Sequence, residues 1–293
     1  MLSEVLSSLN PEPGEAFADC TVGAGGHAAA ILSRLGATGW VVGIDRDATA
    51  LQLAEKQLRA TGFAFDLVEG HYSQLRQHLQ SVGRKPEGAL DGILLDLGVS
   101  SMQVDTADRG FSFLRDGPLD MRMGQNDGET AADFLARVSQ EELERVLREY
   151  GEESAARRLA KAVVARRSER PLATTRHLVE VVQSVAPRLP PGRSKKIHPA
   201  TRTFQAIRIA INRELDELEG LLRDLDRYVR PGGRGVVLSY HSLEDRIVKR
   251  WASAAQREHF FKTLTTRPLR PGRDEVERNP RARSARLRAM VRV

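Results

Sequence analysis

The sequence predicts an α/β fold of the doubly wound kind, a mostly parallel sheet interrupted by one long helical insertion. Three observations carry this. Short apolar runs alternate with helix-length amphipathic stretches over the first 100 residues. A glycine-rich turn follows the first of those runs. From about residue 105 to 203 no convincing strand pattern occurs, and then the alternation resumes.

Residues 17–20 form a short strand that ends at the glycine turn, and 28–35 continue as a helix stopped by Gly36. The run 40–45 is a second buried strand. Residues 48–60 are a helix with Leu51, Ala54 and Leu58 on one face. A third strand spans 63–68. A fourth, strongly apolar, spans 90–97 after a Lys85-Pro86-Glu87-Gly88 turn. In the insertion, Ser139 with Glu142 predicts a capping box opening a helix that closes at Gly151. A helix over 154–168 buries Leu159, Ala162 and Val163 and turns Arg157, Arg158, Lys161, Arg166 and Arg167 outward. Another runs from 175 to 185. The proline-rich basic stretch 187–199 is expected to be a loop.

Apolar residues from Phe204 through Leu215 and Leu225 to Val229 recur every three or four positions, which predicts one long helix. Pro231-Gly232-Gly233 then turns the chain into a fifth strand at 235–239. A helix from Ser242, a sixth strand near 260–265 and a C-terminal strand over 285–293 complete the pattern. The domain division that follows is 1–105 with 201–293 for the sheet, and 106–200 for the insertion.

Composition limits the functional classes. The chain has 293 residues, 41% of them hydrophobic, and no run near the roughly 18 apolar residues of a membrane span. Residues 1–13 show no signal-peptide pattern, so the expected compartment is the cytoplasm. The single cysteine, Cys20, cannot build a disulfide framework or a thiolate zinc site, and no metal is expected. Residues 1–150 carry 13 Lys/Arg against 23 Asp/Glu, whereas 151–293 carry 32 against 16. The basic half suits a polyanion, although arginine also coats ordinary solvated helices.

The stretch from Asp19 to His27 lies at a strand-to-helix turn. Its glycines let backbone approach a ligand, and the helix start offers free N–H groups. Asp45, ending the second strand, can accept both hydroxyls of a ribose. Together these indicate a nucleoside cofactor. A dinucleotide turn usually has a third glycine inside the helix, where Ala29 stands here. Asp19 suits the ammonium of a methionyl group better than a pyrophosphate. Both points favour S-adenosylmethionine over a nicotinamide cofactor. His27 can pack over the ligand or cap the helix, and Cys20 reads as a packing residue. Asp96 ends the fourth strand beside the first, at the switch point where ligands bind, unless it merely caps a helix.

Several longer motifs then become recognisable. Asp96-Leu97-Gly98-Val99-Ser100-Ser101 leads into Arg109-Gly110-Phe111-Ser112-Phe113 and Asp116-Gly117-Pro118-Leu119-Asp120-Met121-Arg122-Met123. His198-Pro199-Ala200-Thr201-Arg202-Thr203-Phe204, Ser239-Tyr240-His241-Ser242-Leu243-Glu244-Asp245-Arg246 and Asn279-Pro280-Arg281-Ala282-Arg283 follow in order. With the Gly25-Gly26-His27 turn, they resemble the RsmH (MraW) family over almost the whole chain. That resemblance implies a Rossmann-like class I methyltransferase sheet with a helical insertion. It also implies N4-methylation of a decoding-region cytidine in bacterial small-subunit ribosomal RNA. The implied cofactor contacts are Gly25, Gly26, His27, Asp45, Asp96, Gln103 and an aromatic residue after the third strand, for which Tyr72 is the match. Met102 replaces the family's proline, which implies a less rigid Gln103 loop. The motif before the first strand is also shortened.

Methyl transfer from a sulfonium is an in-line displacement, so alignment and water exclusion dominate over acid–base chemistry. The candidates for holding the acceptor amine are Asp96, Asp120 and His241 in the Ser239-Tyr240-His241 turn, where His241 reads equally as a helix-start residue with no catalytic part. Phe111, Phe113 and Tyr240 are candidate platforms for an unstacked base, and each reads equally as a core residue. Residues 157–208, with 13 Lys/Arg against two Asp/Glu, and 262–293, with 10 against three, are the expected RNA-backbone contacts. A non-catalytic RNA-binding factor and a small-molecule methyltransferase are the competing readings.

Overall fold

A computed structural model describes residues 1–186 and 198–293. The expected loop at 187–199 therefore lies, up to 197, outside the described residues.

In chain order, α1 (Leu2–Leu9) and β1 (Ala16–Asp19) lead into α2 (Gly26–Leu35), β2 (Trp40–Asp45), α3 (Ala48–Arg59) and β3 (Ala64–Glu69). Then come α4 (Leu75–Ser81), β4 (Leu90–Asp96), α5 (Ser101–Asp105), α6 (Ala131–Arg137), α7 (Gln140–Glu149) and α8 (Ala156–Glu169). Next are α9 (Thr175–Val185), α10 (Ala200–Asn212), α11 (Glu214–Arg223), α12 (Leu225–Tyr228) and β5 (Val229–Ser239). The chain closes with α13 (Ser242–Arg257), β6 (Phe261–Thr263), α14 (Arg273–Arg278) and β7 (Arg286–Arg292). These form two units, Met1–Gly98 with Leu215–Val293, and Val99–Glu214.

The first unit is built on a seven-stranded sheet ordered β3-β2-β1-β4-β5-β7-β6. Strands β1 to β5 are parallel, and β7 runs antiparallel between β5 and β6. Parallel strands buried on both faces read as unbroken apolar runs, which is why 40–45 is legible to the residue. Alternate side chains serve opposite faces. Val42, Ile44, Ile93 and Leu95 join a core with Leu79, Leu221 and Val248, on the side of α4 and α11 to α13. Val41 and Leu94 join Phe17, Ile31, Leu32 and Leu58 on the side of α1 to α3. Asp19 pairs with Gly43 and Leu94, so the ends of β1, β2 and β4 share one edge, where the strand order reverses.

The second unit is helical, with Leu119, Phe134, Leu147, Leu159, Leu178, Phe204 and Ile207 in one core. Its one strand-type pairing among the described residues is the bridge Pro118 to Thr174. The Asn212 amide donates to Met121 O at 2.8 Å and accepts from Met123 N at 2.8 Å, tying that loop to α10.

Three expectations change. The single long helix from 204 to 229 is instead α10, α11 and α12. Arg213 breaks it in the left-handed region, at φ 52°. The periodicity survives the break because Phe204 and Ile207 fill one core while Leu218, Leu221 and Leu225 fill another. The fifth strand begins at Val229 rather than after the prolyl-glycine turn, and that turn is a register irregularity within it, opposite Leu90 to Gly92. Ser139 does cap α7, accepting from Glu142 N at 3.0 Å. The Glu142 carboxylate, however, is spent on Arg145 at 2.6 Å, so only half of the capping box forms.

Among the described residues no helix is long and apolar enough to cross a membrane.

Candidate functional site

Three aspartates, Asp19, Asp45 and Asp96, end β1, β2 and β4 at the switch-point edge. Asp19 is the most buried of them, 1% exposed. Its Oδ1 accepts from Thr21 N at 3.2 Å, while Oδ2 is buried with no hydrogen-bond partner. Burial pushes its carboxyl up to about 7; the Thr21 N–H opposes this, and the charges of Asp96 and Asp45 add to it. The Ala28 N–H lowers it as well, and an Oδ2 buried without a hydrogen-bond partner is costly to leave charged.

The turn after β1 is held by Asp45, whose Oδ2 accepts from Gly23 N at 2.9 Å and Oδ1 from Asp47 N at 3.0 Å. Burial raises the Asp45 carboxyl, with those backbone N–H groups opposing. Gly25 caps α2 at φ 87°, where a side chain is strained, and a Cβ there would stand 3.0 Å from the Ala54 Cα. Above Gly26 the space is open, with nothing within 4 Å of an added Cβ. The turn is thus a clear floor with backbone N–H groups at its helix end.

Asp96 is gripped from three sides. Its backbone N–H donates to Thr21 Oγ1 at 2.6 Å, Tyr240 OH donates to its Oδ1 at 2.8 Å, and His27 Nδ1 stands 3.5 Å from Oδ2. Burial raises its carboxyl, opposed by His27 and by the Tyr240 hydroxyl. Burial also lowers His27, with Asp96 pulling the other way, so a neutral ring is favoured near pH 7. The Tyr240 phenol is pushed above its usual range by burial and by the Asp96 charge, so it stays a donor. The sequence named Tyr240 as a base platform and missed this hydrogen bond; the pairing is non-local, and no spacing signals it.

Tyr72 begins the short 3-10 turn after β3 and is half-buried against the core. Gly70 N donates to Asp45 O at 2.9 Å, which ties that turn beside the second strand. Gln103, in the second unit, is 5% exposed and closes a capping box on α5: its Oε1 accepts from Ser100 N at 3.1 Å. Asp120, also in the second unit, is held bidentately by Arg122 at 2.9 Å and 2.9 Å. His241 is the N-cap of α13, with Nδ1 accepting from Glu244 N at 3.4 Å and Nε2 3.1 Å from Glu244 Oε1. Glu244 answers by accepting from Tyr240 N at 2.8 Å and His241 N at 3.3 Å. The spacing of His241 and Glu244 is that of a capping box, so this role was open to the rule that found Ser139. Within the first unit the structure therefore gathers Asp19, the glycine turn, His27, Asp45, Asp96 and Tyr240.

The proposed base platforms are engaged in packing. Phe113 stacks on His198 with centroids 4.6 Å apart and meets Phe204 edge-on at 5.1 Å. The Arg109 guanidinium lies over Phe111 at 5.7 Å. The basic tracts are partly structural too. Arg286 and Arg288 pair with Asp245 at 2.8 Å each, and Arg292 donates to Val229 O. Arg167, expected outside, donates to Leu135 O at 2.6 Å and Val138 O at 2.7 Å at the end of α6. Lys262, Arg267, Arg270, Arg273, Arg278, Arg281 and Arg283 remain exposed.

Residues 1–293 match the MraW methylase family. A relative from Pelobacter propionicus, named ribosomal RNA small subunit methyltransferase H, is 46% identical over 310 residues, covering 100% of this chain and 97% of its own. A protein of the same name from Methylococcus capsulatus is 48% identical over 301 residues, covering 99% and 98%. A solved chain from Clostridium thermocellum aligns over 100% of this chain and 97% of its own, with a TM-score of 0.50 at 10% identity, a likeness of fold alone. The seven-stranded sheet, with β7 antiparallel beside β5, is the Rossmann-like class I methyltransferase arrangement.

Proposed function

The chain belongs to the MraW methylase family, and we propose that it methylates N4 of a cytidine in the decoding region of bacterial small-subunit (16S) ribosomal RNA. S-adenosylmethionine is the methyl donor. The coarser activity, methylation of small-subunit ribosomal RNA, rests on the family and on relatives that carry that name over nearly their full length. The observation that carries the donor is the switch-point edge, where the orphaned Asp19 Oδ2 lies at the foot of an open glycine turn. A ribosomal substrate supports a cytoplasmic location.

The residues fit the donor. Asp19 holds the ammonium, Asp45 the ribose hydroxyls, and the Gly25-Gly26-His27 turn gives the backbone floor. Tyr72 borders the base, and the family pattern adds Gln103. When bound, the donor supplies an electrophilic methyl group on a sulfonium. The protein's own work is to place the amine and shield it from water. A cytosine amine is a weak nucleophile because its lone pair is delocalised into the ring. Asp96 accepts one of its N–H bonds, which favours a pyramidal nitrogen with its lone pair free. Tyr240 and Thr21 keep the Asp96 carboxylate and backbone in place for this. The methylated nitrogen is acidic and loses its proton without a strong base. Asp120 and His241 are secondary candidates for the amine, each already committed to a partner. The unit Val99–Glu214, which contains the stretch 106–200, takes the role of RNA recognition.

The test is to incubate the protein with labelled donor and either small or large ribosomal subunits. Label entering the small subunit at one decoding-region nucleotide supports the proposal. Label in large subunits, or none in either, removes it.

A further inference from the structure

A count of arginines cannot separate those that hold the fold together from those that are free, but the structure of the second unit does. Along α7, Arg145 pairs with Glu142 and Glu149, and Arg148 with Glu144. Arg137 pairs with Glu129, Arg122 with Asp120, Arg176 with Asp116 and Arg208 with Glu214. Arg109, Arg115, Arg166, Arg167 and Arg202 donate to backbone carbonyls. Among the described residues of this unit, the cations whose charged side-chain groups make no hydrogen bond or ion pair are Arg157, Arg158, Lys161 and Arg170. All lie on α8 or at its C-cap.

Arg157, Arg158 and Lys161 fall within an arc of about 100° at 3.6 residues per turn. They oppose the buried face of Ala156, Leu159, Ala160 and Val163, and all three are exposed. The helix dipole does not favour their position. They stand in the first turns of the helix, near the positive end of its dipole, where cations are disfavoured. No acidic residue occupies that first turn to offset them. Glu153, just before it, spends a carboxylate oxygen on Ala155 N at 3.0 Å.

We propose that the Arg157-Arg158-Lys161 face of α8 is a phosphate-contacting surface for the RNA substrate, while the equally arginine-rich α7 is not. This rests on the reading of the protein as an RNA methyltransferase and adds the surface that grips the backbone. Three cations already desolvated by neither partner nor burial give their full charge to phosphates, each releasing counterions. The α7 arginines would first have to leave their carboxylates.

The experiment measures binding of a labelled 16S ribosomal RNA transcript from about 50 to about 200 mM salt. For the triple variant R157Q/R158Q/K161Q, the slope of log affinity against log salt should flatten by about 2 to 3, at 0.7–0.9 per lost contact. The paired control R145Q/R148Q should leave the slope within about half a contact. The charge-keeping variant R157K/R158K/K161R should restore the wild-type slope. Donor binding and the melting temperature should not fall in the triple variant, since its residues face water against the helix dipole. An unchanged slope in the triple variant, or an equal loss in the α7 control, overturns the proposal while leaving the methyltransferase reading intact. Salt-independent RNA binding by the wild type would remove both.

Discussion

If Asp19 receives the donor's ammonium group, cofactor binding must expel a proton. Its carboxyl is raised from 3.8 to about 7, mainly by burial. Those roughly three units correspond to about 4 kcal/mol against ionising it in the empty site. A cation placed on Oδ2 reverses that balance and returns the group to the ordinary carboxylate range. Below pH 7 the free protein is protonated there and the complex is not. Close to one proton should leave at pH 6 and progressively fewer as pH passes 7, while above about pH 8 the donor's own α-amine must take one up to bind as ammonium. Affinity should therefore climb close to tenfold per pH unit between about 5.5 and 6.5 and flatten above 7. Calorimetric titration in two buffers of different ionisation enthalpy counts the protons directly. Asp19→Asn should abolish the release and cost about 10- to 100-fold in affinity at pH 7.5, the range for a lost charge-assisted hydrogen bond. That deficit should shrink toward pH 5.5, where the wild type is itself protonated. Proton uptake or no proton change at pH 6, or unaltered affinity in Asp19→Asn, would refute the assignment.

The same group has a stability signature in the free protein. A folded pKa above the unfolded one stabilises below about 3.8, and that stabilisation is lost as pH rises through about 7. Asp19→Asn without cofactor should therefore melt higher than wild type at pH 8 in a thermal scan. Tyr240→Phe removes the donor to Asp96 Oδ1 and one of the influences lowering its pKa. Single-turnover rates should fall about tenfold with donor affinity unchanged, and the acidic limb of the rate profile should move to higher pH. Gly25→Ala forces a side chain into φ 87° against Ala54, and should cost at least about 1 kcal/mol in denaturant titration and weaken the donor in calorimetry. His241→Ala removes the cap of α13 at about 1 kcal/mol in the same titration. If His241 also holds the amine, single-turnover rates should fall far more than donor binding.

Much of this molecule is legible in its sequence where local rules act alone. Residues 40–45 and 175–185 match their elements to the residue, because a doubly buried strand and a well-capped amphipathic helix each have an unmistakable period. The glycine turn and the aspartates ending β1, β2 and β4 are equally visible, since chain order and strand ends determine them. What escaped depends on partners far apart in sequence. The break at Arg213 hides inside one apolar register serving two cores. Arg167 and Arg288 look like free surface charge until the carbonyls and the carboxylate they hold are known. The grip of Tyr240 on Asp96 spans 144 positions. Helices α1 and α4 are short and lack strong caps, so their periodicity has little length in which to show.

The central claim is the identity of the methylated atom. Small ribosomal subunits from cells lacking this activity should be allowed one turnover with isotopically labelled S-adenosylmethionine, then digested to nucleosides and resolved by mass spectrometry. The label should appear as N4-methylcytidine from a single decoding-region nucleotide. Label in 5-methylcytidine, in a 2′-O-methyl nucleoside or at any other nucleotide would contradict the account.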